Sequence, residues 1–225
     1  MQFVSTRRDS PPVSLSEGLT AGLAPDGGLY LPATLPTINT LGMREPLNIA
    51  RTVLTPFFVG DPLAEHLDAI VADAFASPFP LVPTHAPRLS LLELFRGPTA
   101  AFKDFGARFL AASLSQVSRP QMITILVATS GDTGSAVAAA FHDRPGFRVV
   151  VLYPDGKVSP RQAHQLEAFG GNVTTLRVDG TFDDCQALVK QAFADTELRT
   201  EVPMTSANSI SLGRLLPQMV YHAVA

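Results

Sequence analysis

From about residue 89 onward, short apolar runs alternate with helical stretches, and no other feature narrows the possible folds as much. The segments 89–94, 122–128, 149–153, 172–178 and 202–206 are rich in valine, isoleucine and leucine and read as strands. Between and after them lie stretches with helical periodicity: one through Lys103, an alanine-rich one after Ser135, then 159–169, 182–193 and a last one from Leu212 onward. Strands separated by single helices predict a parallel sheet with right-handed crossovers. The expected class is therefore α/β. Ligands in such sheets gather at the carboxyl ends of the strands.

The chain before residue 86 is different. It is proline-rich and irregular, with an Asp26-Gly-Gly28 turn between apolar flanks. Segments 46–58 and 63–75 read as amphipathic helices, the second with Leu63, Leu67, Ile70, Val71, Ala74 and Phe75 on one face. Four prolines between Pro78 and Pro87 mark a connector. Two parts are expected, residues 1–86 and residues 87–225.

Composition excludes several function classes. With 46% hydrophobic and 16% charged residues, 225 residues can bury a sizeable core. A net charge of −3 with scattered signs offers neither a basic face for nucleic acid nor a polybasic membrane arm. No apolar stretch is long enough to span a bilayer, and the opening Met1–Ser10 segment lacks the apolar core of a signal peptide. Cys185 is alone, which rules out an internal disulfide and suits a reducing cytoplasm. The five histidines have no metal-ligand spacing, so no metal site is expected.

Two segments carry chemistry. In Gly97-Pro-Thr-Ala-Ala-Phe-Lys103-Asp-Phe-Gly-Ala107, Pro98 and Thr99 suggest a helix start with a hydroxyl cap, and Asp104 suits the first turn. Phe102, Phe105, Phe109 and Leu110 form a core stripe, while Lys103 heads a second line with Gly106, Ala107, Leu110 and Leu114. Lys103 could extend to water along its stem. Alternatively, a lysine in a dry pocket loses its proton readily and attacks carbonyls. The second segment, Thr129-Ser-Gly-Asp-Thr-Gly-Ser135, joins a predicted strand to a predicted helix. Its glycines permit a tight turn, and the helix amides it exposes can take a carboxylate or phosphate. Ser130 or Asp132 could equally act as a plain helix cap. Asp155 lies where a ribose-binding acid would, but the glycine spacing lacks the leading half of a dinucleotide fingerprint.

The motif Phe102-Lys-Asp-Phe-Gly106, preceded by Glu93-Leu-Phe-Arg-Gly-Pro-Thr99, resembles the cofactor-lysine motif of threonine synthases, which are fold type II pyridoxal-phosphate enzymes related to the tryptophan synthase β chain. Ser5-Thr-Arg7, Gly22-Leu-Ala-Pro-Asp-Gly-Gly-Leu-Tyr30, the Thr129–Ser135 turn, Tyr153-Pro-Asp-Gly-Lys-Val-Ser159, Phe182-Asp-Asp-Cys-Gln186 and Asn208-Ser-Ile210 follow in the family's order. The S-G-x-T-G turn is shared with related lyases. The amino-terminal motif together with F-K-D-F-G is specific.

The resemblance implies conversion of O-phospho-L-homoserine and water to L-threonine and phosphate. Lys103 would hold pyridoxal 5'-phosphate as an aldimine and then act as the acid–base group. Asp132 and Asn208 would border the cofactor, and Ser130, Gly131, Thr133 and Gly134 would hold the substrate carboxylate. Lys157 and Ser159 would meet the substrate phosphate; a solvated loop lysine and a helix cap are their plainer roles, and Arg161 is equally ambiguous. Relatives carry asparagine where Asp132 and Ser211 stand here. The glycine-rich loop that grips the cofactor phosphate in the family is absent. The chain is therefore expected to be the amino-terminal half, with an incomplete large lobe and no activity by itself. A serine/threonine dehydratase-like lyase and a non-catalytic module binding small anions are the alternatives.

Overall fold

The computed structural model describes residues 1–117 and 121–225. The elements run β1 (Phe3–Ser5), α1 (Leu15–Ala21), β2 (Tyr30–Pro32), α2 (Pro46–Phe58), a 3-10 turn (Pro62–His66), α3 (Leu67–Ala74), β3 (Leu81–Pro83), β4 (Ser90–Leu92) and α4 (Lys103–Gln116). They continue with β5 (Ile123–Ala128), α5 (Asp132–Phe141), β6 (Phe147–Pro154), α6 (Pro160–Glu167), β7 (Val173–Val178), α7 (Phe182–Ala194), α8 (Thr196–Glu201), β8 (Met204–Ser206), α9 (Leu212–Leu215) and α10 (Gln218–Val224).

The predicted parallel sheet is present, in the order β7-β6-β5-β8. Its central strand β5 is apolar on both faces because both are covered. Side chains alternate across the pleat. Ile125 and Val127 enter the main core, while Leu126 and Ala128 face the other way, toward Cys185 and Val189 of α7. Helices α4 and α5 pack together on the main-core side. Helix α7 closes the opposite face, its first turn fixed by a Thr181–Asp184 capping box. Cys185 is fully buried in the core beneath α7.

Five expectations are corrected. The 89–94 run is not a strand of the parallel sheet: Ser90–Leu92 pairs antiparallel with Leu81–Pro83 in a separate ribbon, leaving Leu89 and Leu91 exposed. The helix predicted over 63–75 begins as a 3-10 turn, capped by Asp61, whose carboxylate accepts the Leu63 amide. Helix α4 starts at Lys103, not at Thr99, and has no side-chain cap. Thr99 instead donates its amide and hydroxyl to Asp104, tying the preceding loop to the first turn. Phe102 is 41% exposed and leaves the core stripe to Phe105, Phe109 and Leu110. The last helix is broken at Pro217, which divides α9 from α10.

One apolar core runs through the molecule, from Phe3 and Leu15 to Val220 and Tyr221. Phe105 is its hub. Its ring stacks on Phe75 at 5.8 Å and meets Phe79 edge-on at 5.3 Å and Tyr221 at 6.0 Å between centroids.

Candidate active site

Lys103 is the first residue of α4, and the loop before it brings its amine to the carboxyl end of the sheet. The side chain is 22% exposed, with Nζ 3.4 Å from Asp132 Oδ2 and 4.5 Å from the Phe102 ring centroid. The amine is neither fully dry nor freely solvated; the carboxylate opposite is what the sequence alone did not reveal. The other line members, Gly106, Ala107, Leu110 and Leu114, are buried as expected.

The turn between β5 and α5 is organised from below by Thr129, which is completely buried. Its Oγ1 accepts the amides of Gly131 at 3.0 Å and Gly134 at 2.8 Å and donates to the Gly131 carbonyl. Gly131 occupies φ +144°, a region that needs glycine. A Cβ at Gly134 would lie 2.5 Å from Thr129 Cγ2 and 2.8 Å from Val151 Cγ1, so the helix approaches the sheet as closely as backbone allows. Neither Ser130 nor Asp132 caps α5. The first two helix amides, of Asp132 and Thr133, have no acceptor among the described residues and lie at the positive end of the helix.

Asp132 bridges two elements. It accepts a 2.9 Å hydrogen bond from the Gln162 amide of α6 and pairs with Lys103. The Gln162 hydrogen bond, aided by the Lys103 charge, holds its carboxyl below the usual range against a cost from burial. Thr133 Oγ1 lies 3.2 Å from Ser209 Oγ, which joins the turn to the loop after β8. Asn208 caps that loop by accepting the Ile210 amide.

A cavity of about 320 Å³ opens here, walled by Ser130, Thr133, Asn208 and Ser209 below and by Gln186 and Lys190 of α7 above. A smaller one of about 100 Å³, lined by Lys103, Gly106, Ser209, Arg214 and Gln218, adjoins it through Ser209. The predicted residues Lys103, Ser130, Gly131, Asp132, Thr133, Gly134 and Asn208 are thus brought together. Lys157 and Ser159 lie at the β6–α6 turn, outside both walls. Ser159 uses its hydroxyl in a capping box with Gln162, and Lys157 is exposed. Reading by residue type missed Lys190, Gln162 and above all Arg214, although an arginine inside the apolar run Leu212–Leu216 is itself a signal.

This arrangement of lysine, glycine turn and parallel sheet defines a class. Residues 78–211 match the family described as pyridoxal-phosphate dependent enzyme, and the chain belongs to that family. Residues 2–75 match the description of a threonine synthase N terminus. The chain is 43% identical to the threonine synthase of Escherichia coli K12 over 99% of its own length and 53% of that protein's, and equally so to the enzyme of Haemophilus influenzae. It therefore spans about half the length of the curated relatives it matches. The crystal structure of the Escherichia coli threonine synthase superposes with a TM-score of 0.90 over the whole chain and 54% of its own. A PLP-bound threonine synthase from Brucella melitensis gives 0.88 at 40% identity, over 99% of this chain and 51% of its own. The expected fold type II α/β architecture is borne out, as is the resemblance along the whole chain.

Proposed function

We propose that the chain is part of a threonine synthase, converting O-phospho-L-homoserine and water to L-threonine and phosphate. The observation that carries this reading is that residues 2–75 match a threonine synthase N terminus while Lys103 lies beside the glycine turn at the sheet's carboxyl end. That amino-terminal match also disfavours a serine/threonine dehydratase. The division into residues 1–86 and 87–225, and a cytoplasmic location, belong to the same proposal. No helix is long and apolar enough to cross a membrane among the described residues.

The side chains fit pyridoxal 5'-phosphate at its reactive end: an amine with limited exposure, a glycine turn at positive φ beside it, and small hydroxyl residues around it. When bound, the cofactor supplies an electron sink that lets protons leave carbon. Lys103 would hold it, and the amine of Lys103 would move protons at the substrate's α- and β-carbons. The Asp132 and Thr133 amides, with the Ser130 and Thr133 hydroxyls, orient the substrate carboxylate. Gly131 lets the backbone turn toward it, and Gly134 seats the helix start beneath it on the sheet. Asp132 and Asn208 would border the cofactor, with Asp132 orienting the lysine amine. Lys157, exposed on the β6–α6 turn beyond the cavity walls, is the residue assigned to the departing phosphate, whereas Ser159 commits its hydroxyl to the capping box of α6.

The test uses the protein expressed from its full reading frame and loaded with cofactor. Threonine and inorganic phosphate are expected in equal amounts from O-phosphohomoserine, with a loss of about a thousandfold in Lys103→Ala. Lys157→Ala should lower kcat/KM roughly ten- to a hundredfold while borohydride still fixes cofactor on Lys103. Ammonia and a keto acid formed from serine or threonine, with no phosphate release, would replace this reading by the dehydratase one.

A further inference from the structure

Arg214 is an anomaly that the chemistry above does not use. It lies in α9, is 2% exposed, and has no carboxylate within ion-pair distance among the described residues. A buried guanidinium without such a partner is costly, and burial pushes its pKa down to about 10 although the charge of Asp104 opposes the shift. Its donors show what it does in return. Nη1 donates to the Ala207 carbonyl at 2.9 Å, in the loop that carries Asn208 and Ser209. Nη2 reaches the carbonyl of Lys103 itself at 3.5 Å. Nε has no acceptor among the described residues and faces Gly106, one turn along α4. A Cβ on Gly106 would lie 3.0 Å from that Nε and 3.1 Å from the Arg214 carbonyl.

We propose that Arg214, admitted by Gly106, is the positioning residue for Lys103: its fork joins the lysine's own carbonyl to the β8–α9 loop and so sets where the amine meets the cavity. Gly106 thereby gains a specific role within the lysine motif. It leaves room for a guanidinium against the first turn of α4. Arginine suits the task because two of its nitrogens can address two carbonyls in one plane, whereas a lysine offers one ammonium that cannot hold both. No part of this requires Arg214 to touch substrate or cofactor. The inference rests on Lys103 being the cofactor lysine, and its test separates the two ideas.

Residues 1–225 hold Lys103, Lys157 and Lys190, and peptide mapping separates an adduct on Lys103 from one on any other lysine of the full-length protein. The full-length protein is incubated with pyridoxal 5'-phosphate, reduced with borohydride and mapped by peptide mass, and melting is followed in parallel. In the parent protein the adduct is expected on Lys103; an adduct elsewhere would remove the cofactor-lysine reading itself. Arg214→Lys keeps a cation and the fold, with melting within a few degrees, yet the share of adduct at Lys103 should fall roughly tenfold because the amine is misplaced. Gly106→Ala, which displaces the guanidinium but keeps it, should give the same fall. A folded Arg214→Lys or Gly106→Ala variant with the parental share at Lys103 would overturn the proposal.

Discussion

Asp132 shows how one side chain can be legible in kind and still be misjudged in role. As a departure from the expected asparagine it has no purpose that the sequence reveals, because a carboxylate offers no hydrogen-bond donor. In the folded chain it accepts from Gln162 at 2.9 Å and faces the Lys103 ammonium at 3.4 Å. A carboxyl held below its unfolded value stabilises the fold above about pH 4, and that contribution disappears as pH falls through the folded value. Half of the side chain is exposed, so the effect is small, at most about 1 kcal/mol. Asp132→Asn should therefore melt slightly lower than the parent at pH 6, with the difference shrinking as pH falls below about 4. Melting curves of the two proteins from pH 3 to pH 7 check this; a difference that grows on acidification would contradict it.

Among elements, the β5–α5 unit has the least tolerance. Thr129 satisfies two amides that would otherwise be buried without partners, and Gly134 lets the helix lie directly on Val151 and Leu166. Gly134→Ala must push Thr129 or the helix aside, which should cost about 1–3 kcal/mol despite alanine's better helix propensity. Denaturant unfolding measures this, and a stabilised variant would show that the helix can lift without strain. The same unit explains why its place in the sequence was legible. Uninterrupted β-branched residues require cover on both faces, and a glycine pair at the strand end can only be a tight turn. The helix start near Thr99 was misplaced for a related reason. Pro98, Thr99 and Asp104 are all helix-start residues, but Asp104 reaches back to Thr99 and fixes an irregular loop instead. Local propensity does not register a contact five residues away.

For the molecule as a whole, the question is whether the proline-rich first part and the α/β part behave as one. Phe75 and Phe79 come from the first part, Phe105 from the lysine helix and Tyr221 from the last helix, and they form one aromatic cluster. Asp73 of α3 binds both Arg108 of α4 and Arg144 after α5, at 3.1 and 2.6 Å. Both observations cross residue 86. Phe105→Ala removes the hub and should destabilise by about 3–5 kcal/mol, with a single calorimetric transition in parent and variant alike. Two separated transitions in the parent would mean that the parts fold independently.

The amino-acid sequence by itself determined the α/β class, the parallel sheet, the glycine turn and the lysine. Each of these follows from periodicity or from a residue type with few conformational alternatives. Tertiary structure alone decided which charges meet. Lys103 faces Asp132, twenty-nine positions away, and Arg214 reaches the Lys103 carbonyl across 111 positions. It also decided that Ser90–Leu92 leaves the sheet for a ribbon with Leu81–Pro83. The physical reason is common to all three. Strand and helix signals are local sums over neighbouring residues. A buried charge or a strand's choice of partner is fixed by the dielectric, space and free hydrogen-bonding groups that distant segments bring to one place.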